Sequence, residues 1–367
     1  MNTPPKRVFR EFALKTCTVA HVFGHTDFFK HNVWFGRTNR QMIESVSQNA
    51  QRIRQYGIDE GSLEVEKFLD AVLALSDHID PYPRHDRAEA KPGMSSNAAP
   101  GPYGDLFPDL DGAGQASARK AKADQRRRIP PEPEKDLLRF ILEHADRLED
   151  WQRDVLAIVR EESLYFVPQM QTKIMNEGWA SFWHSRILRE LNLTDDEFME
   201  FGRLHSGVCT PGRTRMNPYH VGLKMFEDIE KRFGRPKIFG VRELENDVSF
   251  IRSYLTEELC KDLDLFIYEL DEDWKITDKK WERVRDAICN SMTNFGQPYI
   301  VVVDGDYSGK RELYLQHYHD GRDLDMPYAE RTLQYAYQLW GRPVHLETKI
   351  GDKKTVLTCE GSIITRK

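Results

Sequence analysis

The sequence predicts an α+β protein: a mainly α-helical main domain followed by a small C-terminal α+β domain built as hairpin, helix and hairpin. Three observations predict it. Helical apolar periodicity runs through most of residues 8 to 270. Short β-rich segments joined by polar turns replace it toward the C-terminus. The chain is 367 residues long and 40% apolar, enough for two or three packed units with cores of their own.

Residues 8 to 35 are apolar on almost every side, with Phe12, Leu14, Val19, Val22, Phe23, Phe28 and Phe29, which predicts a helix buried within a larger domain. The next helix, over NRQMIESVSQNAQRIRQYG, is expected to stop at Gly57, and another to begin at Ser62 in SLEVEKFLDAVLALSDHI. Residues 82 to 134 then hold 13 glycines and prolines in 53 positions and few large apolar side chains. They read as a disordered or loosely packed insertion that divides the main domain into halves, 1–81 and 135–295. Within it RKAKADQRRR, at 119–128, carries six basic residues. The acidic balance of the chain and the lack of interleaved aromatics favour a solvated linker over a nucleic-acid contact.

Beyond the insertion, KDLLRFILEHADRLEDWQRDVLAIVREESLYFV predicts one or two helices ending at Pro168. Three more are expected over TKIMNEGWASFWHSRILREL, NPYHVGLKMFEDIEKRFG and RELENDVSFIRSYLTEELCKDLDLFIY. In the C-terminal domain, 296–367, PYIVVVD and RELYLQHYH flank the turn GDYSGK. PYAERTLQYAYQLWG gives a helix, and PVHLETKIG and TVLTCEG close around DKK. The helix is expected to cover one face of the sheet. VVDGD followed by GK lacks the spacer and the Ser or Thr of a phosphate loop, so a hairpin turn is the better reading. Nothing in this domain assembles an acid, base and nucleophile.

Several classes are excluded. No run approaches the roughly 20 apolar residues of a membrane span, and the start MNTPPKRVFREF lacks the apolar core of a secretory signal, so a cytoplasmic location is expected. A net charge of -6 has the wrong sign for a dedicated nucleic-acid binder. The five cysteines, Cys17, Cys209, Cys260, Cys289 and Cys359, are too scattered for a disulfide framework or a CxxC knuckle and are expected as reduced thiols.

Chemistry gathers in two segments. In CTVAHVFGHTDFFKHNVWF, His21 and His25 stand at i and i+4 of a helix, about 40° apart with Cβ atoms about 6 Å apart, the spacing one metal ion needs from two helical ligands. In KIMNEGWASFWHSRI, Glu177 and His184 share a face among Met175, Trp179, Phe182 and Trp183. A carboxylate in that company needs a cation, a donor network or a proton. An HxxxH pair alone is more often two hydrogen-bonded core histidines. With Glu177 it reproduces the His, His, Glu set of catalytic zinc sites, with His184 as fourth ligand or as support for one. The expected cofactor is a divalent metal, zinc first. The general-base position of H-E-x-x-H is here Val22, which accepts no proton, so a base would have to come from elsewhere, with Asp27, Glu161, Glu162, His184 and His205 as candidates.

HVFGHTDFFKHNVWF, WQRDVLAIVREE, PQMQTKIMNEGWASFWHSRIL, VRELENDVSFIRSYLT, PYIVVVDGDYSGKRELYLQH and LWGRPVHLET closely resemble the stage V sporulation protein R (SpoVR) family over nearly the whole chain outside 82–134. The resemblance implies a cytosolic bacterial protein linked to spore cortex formation or, in non-sporulating bacteria, to stationary-phase stress. It also implies partners of two kinds, a PrkA-type serine kinase and a von Willebrand A-like protein. Family members normally carry a longer region ahead of HVFGH, so a shortened N-terminus is expected. A second likeness is to gluzincin-type metallopeptidases, some of which present E-G-W-A on the helix that supplies the third zinc ligand. Carried over, it assigns His21, His25 and Glu177 as ligands, with Val22 as the departure. Two functions follow: a metal-dependent amide or peptide hydrolase, or a non-enzymatic scaffold or regulator of the kinase system.

Overall fold

A computed structural model describes residues 6–82, 128–212, 216–270, 274–351 and 353–367. Most of the expected insertion therefore lies outside the described residues. The chain folds into two compact units, each built from two stretches of sequence. The first comprises residues 1–40 and 165–297, the second 41–164 and 298–367. These differ from the spans read off the sequence, because 41–81 and 135–164 group with the C-terminal sheet. Segment 128–147 explains much of that: Glu134 bridges Val302, the Gly305 N–H donates to the Ile129 carbonyl, and Phe140 stacks on Trp340.

In the first unit α1 (Lys6–His31) lies against α6 (Lys173–Glu190), which in turn packs on α8 (Pro218–Phe233). The core joins Phe28 to Trp179, Phe182, Phe226 and Phe250, each at most 1% exposed. Burying each ring stabilises the fold by roughly 1.5–3 kcal/mol. α1 is not buried all round as its composition suggested: Ala20 and Phe28 face the core, while Val19, Val22 and Phe23 are exposed. α7 (Asp195–Val208), which the apolar pattern does not announce, starts at a Thr194/Glu197 capping box.

The long segment after α8 is not one helix. It breaks into α9 (Arg235–Leu244), α10 (Asp247–Tyr254) and α11 (Glu257–Asp262), because Asn246 and Thr256 cap new helices by accepting backbone N–H groups from Ser249 and Leu259. A two-stranded hairpin, β1 (Ile267–Leu270) and β2 (Trp274–Asp278), follows before α12 (Trp281–Ser291).

The second unit contains α2 (Met42–Tyr56), α3 (Ser62–Leu73), α4 (Leu137–His144) and most of α5 (Asp150–Gln171). Gly57 caps the end of α2 as expected, but at a helical φ of -62°, and the chain continues through a π-helical turn to Gly61, whose φ of 97° precedes α3. Pro168, by contrast, lies inside α5 rather than ending it.

The sheet follows the expected plan with one strand added: β3 (Ile300–Tyr307), β4 (Glu312–His317), α13 (Met326–Trp340), β5 (Val344–Ile350), β6 (Lys353–Glu360) and β7 (Ile363–Arg366), ordered β3-β4-β5-β6-β7. All pairs are antiparallel except β4–β5, which the α13 connection makes parallel. Alternate residues Leu313, Leu315, Val344, Leu346, Leu357 and Cys359 are buried, and α13 packs on β5 and β6. The GDYSGK segment is a hairpin turn, with Ser308 and Gly309 at positive φ. Among the described residues no helix is long and apolar enough to cross a membrane, and all five cysteines are free thiols.

Candidate metal centre

Glycines set how closely the helices of the first unit approach. A Cβ at Gly24 would lie 2.6 Å from Ala180 Cα, and one at Gly178 would lie 2.4 Å from the Gly222 backbone. Helices α1, α6 and α8 thus meet main chain to main chain. Two of the three contact glycines adjoin a functional residue in sequence: Gly24 precedes His25 and Gly178 follows Glu177. The N-terminus of α6 is anchored by Asp247, whose carboxylate accepts the Ile174 and Met175 N–H groups at 2.8 and 2.9 Å. Burial pushes the Asp247 carboxyl up to about 7 against the pull of those hydrogen bonds.

Three side chains converge in this frame. His21 Nε2 lies 3.6 Å and His25 Nε2 3.5 Å from the same atom, Glu177 Oε2. One ligand atom from each of the three residues lies within 4.8 Å of the others. Separations of 3.5 and 3.6 Å are too long for good hydrogen bonds. They are close to the edge of a tetrahedron about a zinc ion, about 3.3–3.4 Å for bonds of about 2.0–2.1 Å. Glu177 Oε2 is buried and makes no hydrogen bond.

The far nitrogen of each imidazole is engaged. His25 Nδ1 donates to Asn176 Oδ1 at 2.8 Å, which leaves the Nε2 lone pair facing Glu177. His21 Nδ1 lies 2.9 Å from His184 Nδ1, and His184 Nε2 lies 2.8 Å from His205 Nδ1. Cys209 Sγ approaches the same His205 nitrogen at 3.9 Å. Burial disfavours the charged form of three of these imidazoles: it lowers His25 and His205, and with the neighbouring imidazoles it takes His184 down to about 3. For Glu177, burial pushes the carboxyl up, yet interactions with His21, His25 and Tyr219 outweigh it, so the net shift is downward. Burial and the Glu177 charge raise Tyr219, whose ring also stacks on His21.

The structure thus brings together His21, His25, Glu177, His184 and His205, with His184 reaching His21 on the side away from Glu177. Asp27 is occupied elsewhere. Its Oδ2 accepts from Trp179 Nε1 at 2.9 Å and lies 3.5 Å from Arg242 Nη1, and its Oδ1 pairs with His31 at 3.1 Å. Glu161 and Glu162 belong to the second unit, where Glu161 is exposed and Glu162 accepts from Asn49. Val22 is 52% exposed. Sequence reasoning missed Asn176, Tyr219, Asp247 and the three contact glycines. The glycines flanking Glu177 and His25 were the one available signal.

The helical unit with its His, His, Glu cluster and the appended sheet now have a family to belong to. The family model described as SpoVR like protein matches residues 10–297, and that of the SpoVR-like C-terminal domain matches 298–351. The chain belongs to the SpoVR family. It is 30% identical over 389 residues to the Escherichia coli (strain K12) protein named "Uncharacterized protein YcgB", an alignment covering 92% of this chain and 74% of that relative. No solved structure matches.

Proposed function

We propose that this SpoVR-family chain binds a divalent cation, zinc first, through His21 Nε2, His25 Nε2 and Glu177, and is a cytoplasmic metal-dependent hydrolase of an amide or peptide bond. One observation carries the reading. The lone pair that Asn176 leaves on His25 Nε2 faces a carboxylate oxygen without hydrogen bonds, 3.5 Å away. Two electron-rich atoms in that position repel unless a cation lies between them. A bound ion there would polarise a carbonyl and lower the pKa of a coordinated water. Among the described residues three ligands converge, which would leave a position open as in catalytic rather than structural sites. Tyr219, kept protonated by its surroundings, stands beside Glu177 as a donor toward an oxygen gaining charge. The spore-cortex and stationary-phase roles that the family name suggests belong to this proposal, with cell-wall precursors as the substrate class.

A second reading, a metal-stabilised scaffold or regulatory partner of a PrkA-type kinase and von Willebrand A-like system, is favoured by Val22 in the base position and by the engagement of Asp27 elsewhere. Metal analysis of untagged protein tests the common part: about one zinc per chain is expected, and a chain that neither carries nor takes up a divalent ion overturns it. Chelator-sensitive hydrolysis of muropeptide amides then separates the readings. An inert, zinc-loaded protein that co-purifies with the kinase favours the scaffold.

A further inference from the structure

His21 and His25 present the same nitrogen toward Glu177, but their far nitrogens are held differently. His25 Nδ1 meets Asn176 Oδ1 at 2.8 Å, an atom that can only accept, so its tautomer is fixed. His21 Nδ1 meets another imidazole nitrogen, His184 Nδ1, at 2.9 Å, and His184 passes the question on to His205 Nδ1 at 2.8 Å.

Two nitrogens at such a distance share one proton, so in a neutral chain of three imidazoles only two patterns satisfy both contacts. In the first, His21 Nδ1–H donates to His184 and His184 Nε2–H donates to His205, leaving a lone pair on His21 Nε2. In the second, every proton is reversed and His21 Nε2–H points at Glu177, with no lone pair to offer an ion. Net charge is the same in both. His184 is 2% exposed, so water cannot readily substitute for a missing partner.

We propose that His184 and His205 form a tautomeric relay that sets whether His21 is a competent metal ligand, with His205 as a positioning residue that never touches the ion. This rests on the metal reading above.

The test compares zinc affinity, by competition with a chromogenic chelator, in the untagged full chain and its variants. His205→Leu removes the acceptor and is expected to weaken zinc binding about 10–100-fold, the usual cost of losing a group that orients a ligand histidine. His205→Gln, whose carbonyl can accept from His184, should restore most of it. Nitrogen-15 spectra of the zinc-loaded wild-type chain should place the His184 proton on Nε2. Equal zinc affinity in wild type and His205→Leu, or a His184 proton on Nδ1 in the loaded chain, overturns the relay while leaving the metal site standing. Wild-type protein that takes up no zinc overturns both.

Discussion

Glu177 carries the charge of the cluster, and its neighbours are chosen to keep that charge. Glu177→Gln preserves the shape and removes the anion, so zinc occupancy should fall at least about tenfold while the helical circular dichroism stays unchanged. Equal occupancy would show that the ion, if bound, sits elsewhere. Asp247 gives a pH signature of opposite kind. Its folded carboxyl titrates near 7, above the usual 3.8, so the unfolded chain loses that proton first. Its contribution to stability is complete below about pH 4 and is lost as pH rises through 7. Asp247→Asn should therefore flatten the stability profile between about pH 4 and 7, measured by denaturant unfolding. A variant as pH-sensitive as wild type would show that another group titrates there. At this scale the histidines and Glu177 were legible because i, i+4 spacing and an acid among aromatics are local patterns. Asn176, Tyr219 and Asp247 were not, since each acquires its role from a partner 42 to 151 residues away.

Helices α1, α6 and α8 owe their spacing to glycine. Adding one methyl group in Gly178→Ala would gain helix propensity of about 1 kcal/mol on an isolated helix. Here the new Cβ would meet Gly222 backbone at 2.4 Å. The helices must part, so a net destabilisation on the order of 1–3 kcal/mol is expected together with weaker zinc binding. Thermal melting and zinc titration of Gly178→Ala check both. An unchanged affinity would show that the ligand geometry does not depend on this contact. Strong apolar periodicity made α3, α8 and α13 readable, whereas α10 and α11 were fused into one long helix. There the capping residues Asn246 and Thr256 outweighed the apolar repeat. β1 and β2, of four and five residues, are too short to show an alternation.

The second unit joins distant pieces of sequence, which no local pattern could announce. Its sheet was foreseen as a free-standing module of residues 296–367. In the folded chain β3 is bridged by Glu134, the Arg311 guanidinium pairs with Asp146, and Phe140 Cζ would touch a Cβ at Gly305 at 2.6 Å. A fragment of 296–367 alone exposes that surface. It should melt less cooperatively than the same fragment co-expressed with residues 128–164, as followed by differential scanning calorimetry. Identical melting of the two preparations would show that the sheet needs no help from α4.

Main-chain contact between Gly178 and Gly222, and between Gly24 and Ala180, has a consequence for ion selectivity. Helices in backbone contact hold the main chain beneath the three ligand residues at a fixed spacing, so the cluster cannot widen by the helices parting without breaking that contact. Calcium needs six to eight oxygen ligands at about 2.3–2.6 Å and a flexible surround. Two imidazole nitrogens and one carboxylate, locked at edges of 3.5 and 3.6 Å, suit a small ion that accepts nitrogen and few ligands. If the cluster holds an ion as proposed, the backbone contacts at Gly24, Gly178 and Gly222 would favour zinc over calcium and magnesium alongside the ligands themselves.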